Sequence, residues 1–526
     1  MKTEKQMTAT LKEAGAPVGT FRNWNSIDWK TIHEHIKRLQ MRIAKAVKEK
    51  KFGRAKALQW LLTHSFYAKL LAIKRVTSNK GKRTPGVDKI TWKTPRQKFQ
   101  AVFNLKRKGY RPKPLRRIYI PKKNGKKRPL SIPTMTDRAV QALHKLALEP
   151  VSETLADPNS YGFRPYRRCA DAIAQCFIVL AKKASPVWVL EADIKACFDE
   201  ISHDWMLKNI PMDKTILSKW LNAGFMEDGR IFPTTKGTPQ GGIASPTLAN
   251  MVLDGLEKTA RTASPRRINR YTRSKINMIR YADDFIITGD SRELLEETVK
   301  PAVIEFLSTR GLSLSEEKTL ITRIDQGFDF LGQHVRKYKG KLIIKPSRKN
   351  VQTFLQTIKE TFRKHRSSKA EALIRDLNTK IRGWANYHKH VVSSVIFGYV
   401  DNYIWNEMWR WMRNRHRNKG AHWLMKKYLS KGSRPGRFAT VVKDKRGEPK
   451  TYELIRANSI HIVRHIKIRR NANPFDPDQT DYFLKRRPAK IRKPLPYSYR
   501  MYVASPVTCP NGINQKQPGG PARPKP

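Results

Sequence analysis

The string Tyr281-Ala282-Asp283-Asp284 sets two adjacent carboxylates between apolar, strand-forming flanks, Ile279-Arg280 before it and Phe285-Ile286-Ile287 after it. Such flanks predict a tight hairpin that holds both acids at the end of a β-ribbon. Neighbouring like charges repel unless a cation or water lies between them, and the dipeptide alone reads first as a solvated turn. A second acidic signal upstream reverses that balance. Val187-Trp188-Val189-Leu190-Glu191-Ala192-Asp193 reads as a buried strand whose tip presents Asp193. Three carboxylates from two neighbouring strand ends suit two Mg²⁺ ions about 3.5–4 Å apart, which activate a 3′-hydroxyl and stabilise a leaving pyrophosphate. The chemistry expected is phosphoryl transfer, with Asp193, Asp283 and Asp284 as catalytic residues and metal ligands.

Charge points the same way. The chain has 107 Lys and Arg against 43 Asp and Glu, a formal net charge of +64 over 526 residues. A polyanion relieves self-repulsion of that size, so nucleic acid is the expected partner. A hydrophobic share of 39%, with 12 Trp and 20 Phe, distinguishes the chain from a disordered basic tail. The four cysteines, Cys169, Cys176, Cys197 and Cys509, form no CxxC pair, which argues against a disulfide framework or a zinc finger and suits a reducing cytoplasm. No stretch approaches the roughly 20 apolar residues of a membrane span, and the basic residues are spread along the chain instead of clustered as in membrane-surface binders.

The elements that must position these groups follow from periodicity. Trp29, Ile32, Ile36, Leu39, Ile43 and Val47 predict an amphipathic helix, and a second is expected over 55–72. Residues 78–88 read as a Gly- and Pro-punctuated basic loop. Strand-like runs at 117–120 and 187–190 alternate with a helical pattern at 137–148, an α+β signature. From Val351, the positions Leu355, Ile358, Phe362, Ile374, Leu377, Ile381 and Trp384 keep helical spacing to about residue 440. Residues 441–470 read as short strands mixed with basic helix. After Asp481 no acidic residue occurs, and the Pro-rich end is expected to lack a packed core.

Asp193 followed by Phe198, then Gly237-Thr238-Pro239-Gln240-Gly241-Gly242 with Ser245-Pro246, then Tyr281-Ala282-Asp283-Asp284, resembles in order and spacing the reverse transcriptase of group II introns. The resemblance implies a right-hand polymerase of α+β class, fingers and palm followed by a helical thumb, or X domain, and a basic DNA-binding region. In numbers these are an N-terminal helical extension and basic loop (1–90), fingers and palm (91–345), thumb (346–430), DNA-binding region (431–490) and tail (491–526). By resemblance, Lys122 and Arg128 in the hairpin block 120–133 grip the incoming nucleoside triphosphate, although the residues alone fit solvated cations around a Gly turn equally well. Phe198 in that family stacks under the sugar and selects dNTPs, the alternative being a core aromatic. Gln240 lies where a Gly-rich backbone can approach the template–nucleotide pair. Tyr161-Gly162-Phe163-Arg164 resembles the next block, with Arg164 either packing or facing ligand. Gly332, in the Phe328–Gly332 block, is the expected close approach to the primer.

Ile381-Arg382-Gly383-Trp384-Ala385-Asn386-Tyr387-His388 resembles the thumb signature of group II maturases, where Arg382 and Lys389, with Arg410, Arg413 and Arg415, would carry charge toward duplex. His388 and His390, or His461 and His465, lack the further ligands that a zinc site requires. The implied partners are group II intron RNA, target DNA and dNTPs, with Mg²⁺ as cofactor and no membrane; the oligomeric state is open, a homodimer included. The implied place is the bacterial cytoplasm, and the nucleoid when target DNA is bound. Two other readings carry weight: a splicing-only maturase, disfavoured by the intact acidic triad, and a reverse transcriptase recruited to defence or spacer acquisition. Many members of the family carry an HNH endonuclease with paired CxxC elements; after His465 this sequence has only Cys509, so a borrowed primer is expected.

Overall fold

The Asp28 carboxylate opens the first long helix, accepting from the Lys30 N–H at 2.9 Å and the Thr31 N–H at 3.4 Å. The helix, Trp29–Lys48, then buries the expected stripe Ile32, Ile36, Leu39, Ile43 and Val47, each side chain contributing about 1.5–3 kcal/mol. The computed structural model describes residues 23–121, 125, 127–266, 273–430, 436–443 and 447–486. Lys122, Cys509 and the tail 491–526 lie outside these. Among the described residues no helix is long and apolar enough to cross a membrane.

The second expected helix is two. Ser65, at φ −62° and ψ 129°, ends Phe52–His64 and starts Phe66–Ser78. Buried Leu62 and Phe66 are four residues apart, so apolar spacing continues across the break and sequence periodicity reads through it. These helices and Trp29–Lys48 pack around Met135–Leu155, which starts on the Thr134 hydroxyl and is buried on nearly every side.

The chain divides into two units. One runs to Ala172, resumes over Pro186–Ile321 and is rejoined at Ile468; the other comprises Ile173–Ser185 and Thr322–Lys467. In the first, β1 (Leu115–Pro121) and β2 (Lys127–Ile132) form an antiparallel hairpin with Ile120 opposite Arg128. β1 also runs parallel to β4 (Phe225–Glu227), which pairs with β5 (Arg230–Phe232). The sheet that carries the acids is built on β3 (Trp188–Asp193), β6 (Asn277–Tyr281) and β7 (Asp284–Gly289), with β7 in the middle of the three and β8 (Leu320–Arg323) beyond β3. Its inner faces are apolar, with Val189, Leu190, Met278, Ile279, Phe285 and Ile287 all buried.

In the second unit, β9 (Phe328–Phe330), β10 (Gln333–Tyr338) and β11 (Lys341–Pro346) form a small antiparallel sheet. The helices Arg348–Lys364, Ala370–His388 and Ser394–Arg415 follow, their core made by Val351, Leu355, Ile358, Phe362, Ile374, Leu377, Ile381 and Trp384 as the spacing predicts. A hairpin, β12 (Ala439–Lys443) with β13 (Pro449–Glu453), comes next. The basic helix expected before residue 470 does not form. The backbone there is held open by side chains instead: Asn378 accepts from the Ile455 N–H at 2.9 Å, and Asp401 from those of Ala457 and Asn458 at 2.6 and 3.0 Å.

Candidate active site

β6 and β7 are joined by two residues, Ala282 and Asp283, so that Tyr281 faces Asp284. Ala282 takes φ +60°, the left-handed conformation that a two-residue turn of matching twist needs. β7 pairs in turn with β3, and in that register Asp284 stands directly opposite Asp193. The predicted hairpin and the predicted strand tip therefore meet, bringing Asp193, Asp283 and Asp284 to one strand end.

The charges there are under strain. Burial, then Asp283 and Asp193, push the Asp284 carboxyl up to about 7; burial raises Asp283 as well, with Arg128 and Lys318 opposing. Lys318 places Nζ 2.6 Å from Asp193 Oδ2, and that hydrogen bond raises the lysine further. Among the described residues no group of three His, Cys, Asp or Glu side chains is arranged to hold a metal ion, and Asp193 is turned onto Lys318 instead. The donor set itself is three hard carboxylates, whose mutual repulsion a divalent cation would relieve.

Phe198 sits half-buried on the one-turn helix Cys197–Glu200, which Ala196 opens at φ +46°. Its ring meets Phe163 edge-on at 6.2 Å. The Gly-rich loop lies against this turn: the Phe198 carbonyl accepts from the Thr238 N–H at 2.6 Å, and a Cβ on Gly237 would meet the Asp199 carbonyl at 2.6 Å. Gln240 is pinned twice, its Nε2 donating to Asp199 Oδ2 at 2.9 Å and its carbonyl accepting from the Ser131 N–H of β2 at 2.8 Å. At Gly241, φ is +123° and a Cβ would lie 2.7 Å from the Ser131 carbonyl, so this glycine is required by the close approach of loop and hairpin. Arg128, exposed on β2, acts on Asp283 across this junction.

Arg164 is structural. It is buried, bidentate to Glu153 at 2.9 Å on both oxygens, and donates to the Asp157 and Ser160 carbonyls. Two contributors lay unread in the sequence. One is Lys318, whose signal in the sequence is a lone cation after Glu316 and Glu317. Gly162 passes so close to the Tyr281–Ala282 peptide that a Cβ would lie 2.9 Å from Tyr281 C and nearer still to Ala282 N.

In the second unit Leu331 and Gly332, at φ +49° and +72°, form the two-residue turn between β9 and β10. Tyr387 donates to the Leu331 carbonyl at 2.8 Å. His388 is fully buried and bonds Gln333 at 2.9 Å and Asn350 Oδ1 at 3.0 Å through its two ring nitrogens, so it is no metal ligand here. Trp384 shares Asn350 Oδ1 at 2.9 Å and stacks on Phe354. Arg382 is exposed on the same helix and Lys389, at its end, is half-buried.

Comparison with known proteins accounts for this arrangement. Residues 24–105 match the N-terminal domain of reverse transcriptase, and residues 120–335 match Reverse transcriptase (RNA-dependent DNA polymerase). Residues 351–429 match the Group II intron, maturase-specific domain, which coincides with the helical core around Trp384. Protein YkfC of Escherichia coli (strain K12) is 32% identical over 305 residues, 51% of this chain and 80% of that protein. The chain belongs to the group II intron reverse transcriptase–maturase family. Group II intron-encoded protein LtrA of Lactococcus lactis subsp. cremoris is 32% identical over 341 residues, 53% of this chain and 56% of LtrA, so the chain spans about half of that relative's length. Maturase-like protein 1 of Euglena gracilis is 27% identical over 347 residues, covering 63% and 70% of the two chains. The reverse-transcriptase segment thus contains every acid of the strand-end cluster, and the maturase segment contains Arg382 and Lys389.

Proposed function

We propose that this family member is an RNA-directed DNA polymerase encoded by a group II intron, which also binds its intron RNA to assist splicing and supports mobility by target-primed reverse transcription. The observation that carries the reading is the register that sets Asp193 opposite Asp284 beside the Asp283 turn. Asp193, Asp283 and Asp284 would hold two Mg²⁺ ions, which when bound activate the primer 3′-hydroxyl and offset charge on the departing pyrophosphate. Lys318 neutralises Asp193 and keeps the crowded carboxylates tolerable. Arg128, with Lys122 of the sequence block 120–133, grips the triphosphate. Phe198 crowds the position of a 2′-hydroxyl, and Gln240, fixed between Asp199 and Ser131, presents the loop to the nascent pair.

The remaining assignments are of the same kind. In this reading the extension takes 1–90, fingers and palm 91–345, the thumb 346–430 and the DNA-binding region 431–490. Gly332 is the approach to the primer end; Arg382 and Lys389 contact RNA or duplex phosphate; residues 431–490 hold target DNA. The work is done in the cytoplasm and, on target DNA, at the nucleoid. The maturase-specific match favours intron RNA over a role in defence or spacer acquisition, and the intact acid cluster favours polymerisation over splicing alone.

The test is Asp283→Ala, assayed for primer extension and for intron splicing on one preparation. Polymerisation should be lost and splicing kept, because maturation uses cationic surfaces away from the acids. Near-normal cDNA synthesis would remove the metal assignment; equal loss of both activities would remove their separation.

A further inference from the structure

Beyond the β12–β13 hairpin the chain returns to the first unit at Ile468, and the stretch Ile468–Arg486 lies outside all three matched segments, the last of which ends at residue 429. It is anchored along its length. Asp171, 0% exposed, accepts from the Ile468 N–H at 2.7 Å and from the Arg486 guanidinium at 3.1 Å. Buried Arg167 donates from Nη2 to the carbonyls of Arg470 and Ala472 at 3.2 and 3.1 Å. Arg470 pairs with Glu257 at 3.3 Å, Asn473 reaches Thr154 at 3.0 Å, and Lys48 holds Asp476 at 3.2 Å. Ile468, Ala472, Phe475 and Phe483 are all buried, the last with its ring 4.9 Å from Tyr166.

The groups that grip this stretch also lead to the catalytic turn. The Arg167 guanidinium lies over the Tyr161 ring at 5.7 Å, within cation–π range. The Tyr161 N–H donates to the Arg280 carbonyl at 2.9 Å and the Arg280 N–H to the Asn159 carbonyl at 3.0 Å, so 159–161 is hydrogen-bonded onto β6 just before Tyr281. Glu257, which receives Arg470, also accepts from the Asn159 N–H at 2.9 Å and its Nδ2 at 2.8 Å. The next residue along, Gly162, abuts the Tyr281–Ala282 peptide.

We propose that Ile468–Arg486 is a strap that positions the Tyr281–Asp284 turn through Arg167 and Glu257, so that nucleotide addition depends on a segment beyond the polymerase and maturase regions. The inference rests on the polymerase reading above. The strap acts on the reaction by fixing the platform on which the acids stand, and small displacements at such a platform are costly in rate.

The experiment places a protease site beside Ile466, which is 81% exposed, in the full chain and cleaves it natively, with and without Phe475→Ala and Phe483→Ala on the strap. The cleaved parent should retain its C-terminal fragment on gel filtration and its kcat. The cleaved double variant should shed the fragment, lose about tenfold or more in kcat at unchanged KM for dNTP and primer–template, and show faster hydrogen exchange at residues 281–284. Adding the parent fragment back should restore both. If the fragment is shed while kcat and exchange match the uncut chain, the strap does not position the turn. If shedding unfolds the protein and the fragment restores nothing, the strap is a folding element and the proposal falls. An uncut chain that extends no primer would overturn the polymerase reading, and hydrogen exchange at the turn would still decide the strap.

Discussion

Gly162→Ala is expected to disable the polymerase through one methyl group. Gly162 does not occupy the left-handed region, so the substitution acts through space and not through backbone strain. Its carbonyl is held by Asn250 Nδ2 at 2.8 Å, which prevents an easy retreat. A Cβ would lie 2.9 Å from Tyr281 C, against 3.4 Å for the start of ordinary contact, and it would press harder on Ala282 N. The turn that carries Asp283 must therefore shift by about half an ångström or more. Catalytic constellations tolerate about 0.5 Å, and a displacement of about 1 Å costs about 10²-fold. The expected loss in kcat is between about 10- and 100-fold, or about 1.4–2.7 kcal/mol of barrier. KM for dNTP should change little, since the cations of the β1–β2 hairpin are not displaced. Single-turnover primer extension by a variant with parental circular dichroism measures this; a kcat within about twofold of the parent would refute the idea that Gly162 seats the turn.

Phe198→Ala or Phe198→Val should raise rNTP incorporation relative to dNTP, read as the ratio of kcat/KM for dGTP over rGTP; an unchanged ratio makes Phe198 a packing residue only. Burial, with His390 adding, pushes His388 from the usual 6.5 down to about 3. A base depressed in the folded state contributes its full stability above the unfolded value, and loses about 1.4 kcal/mol per pH unit as pH falls from about 6.5 toward about 3. Unfolding followed through the fluorescence of Trp384, Trp405, Trp409 and Trp411 should show this slope in the parent and a flatter one in His388→Gln. Affinity for a duplex should fall with salt by about 0.9 in log K per log unit for each phosphate contact; a salt-independent affinity would contradict the charge argument.

The acid cluster was legible because its geometry is local: a two-residue connection between apolar runs leaves little choice of register, and β3 needs only its apolar run to be buried beside β7. The helical core after Val351 was legible for the same reason, its spacing being unbroken from Val351 to Phe362 and from Ile374 to Trp384. The break at Ser65 was hidden because it does not disturb the spacing of Leu62 and Phe66. The anchoring of Ile468–Arg486 was invisible for a different reason. Its partners Asp171 and Glu257 lie more than two hundred residues away in sequence, and the segment has no periodicity of its own. Gly162 reads as an ordinary turn glycine until its neighbour at Tyr281 is known.

The insertion of one unit within another also sets a schedule for synthesis. The chain leaves the first unit at Ile321 and regains it only at Ile468, and the anchor of Asp171 on Arg486 cannot form until residue 486 has emerged. At about 5–20 residues per second a ribosome takes on the order of 10–30 s to cover that interval. During it every acid of the active site already exists, yet the platform beneath Tyr281–Asp284 lacks its far support. If Ile468–Arg486 seats the turn as proposed, a nascent chain acquires a seated turn only after translation has passed residue 486.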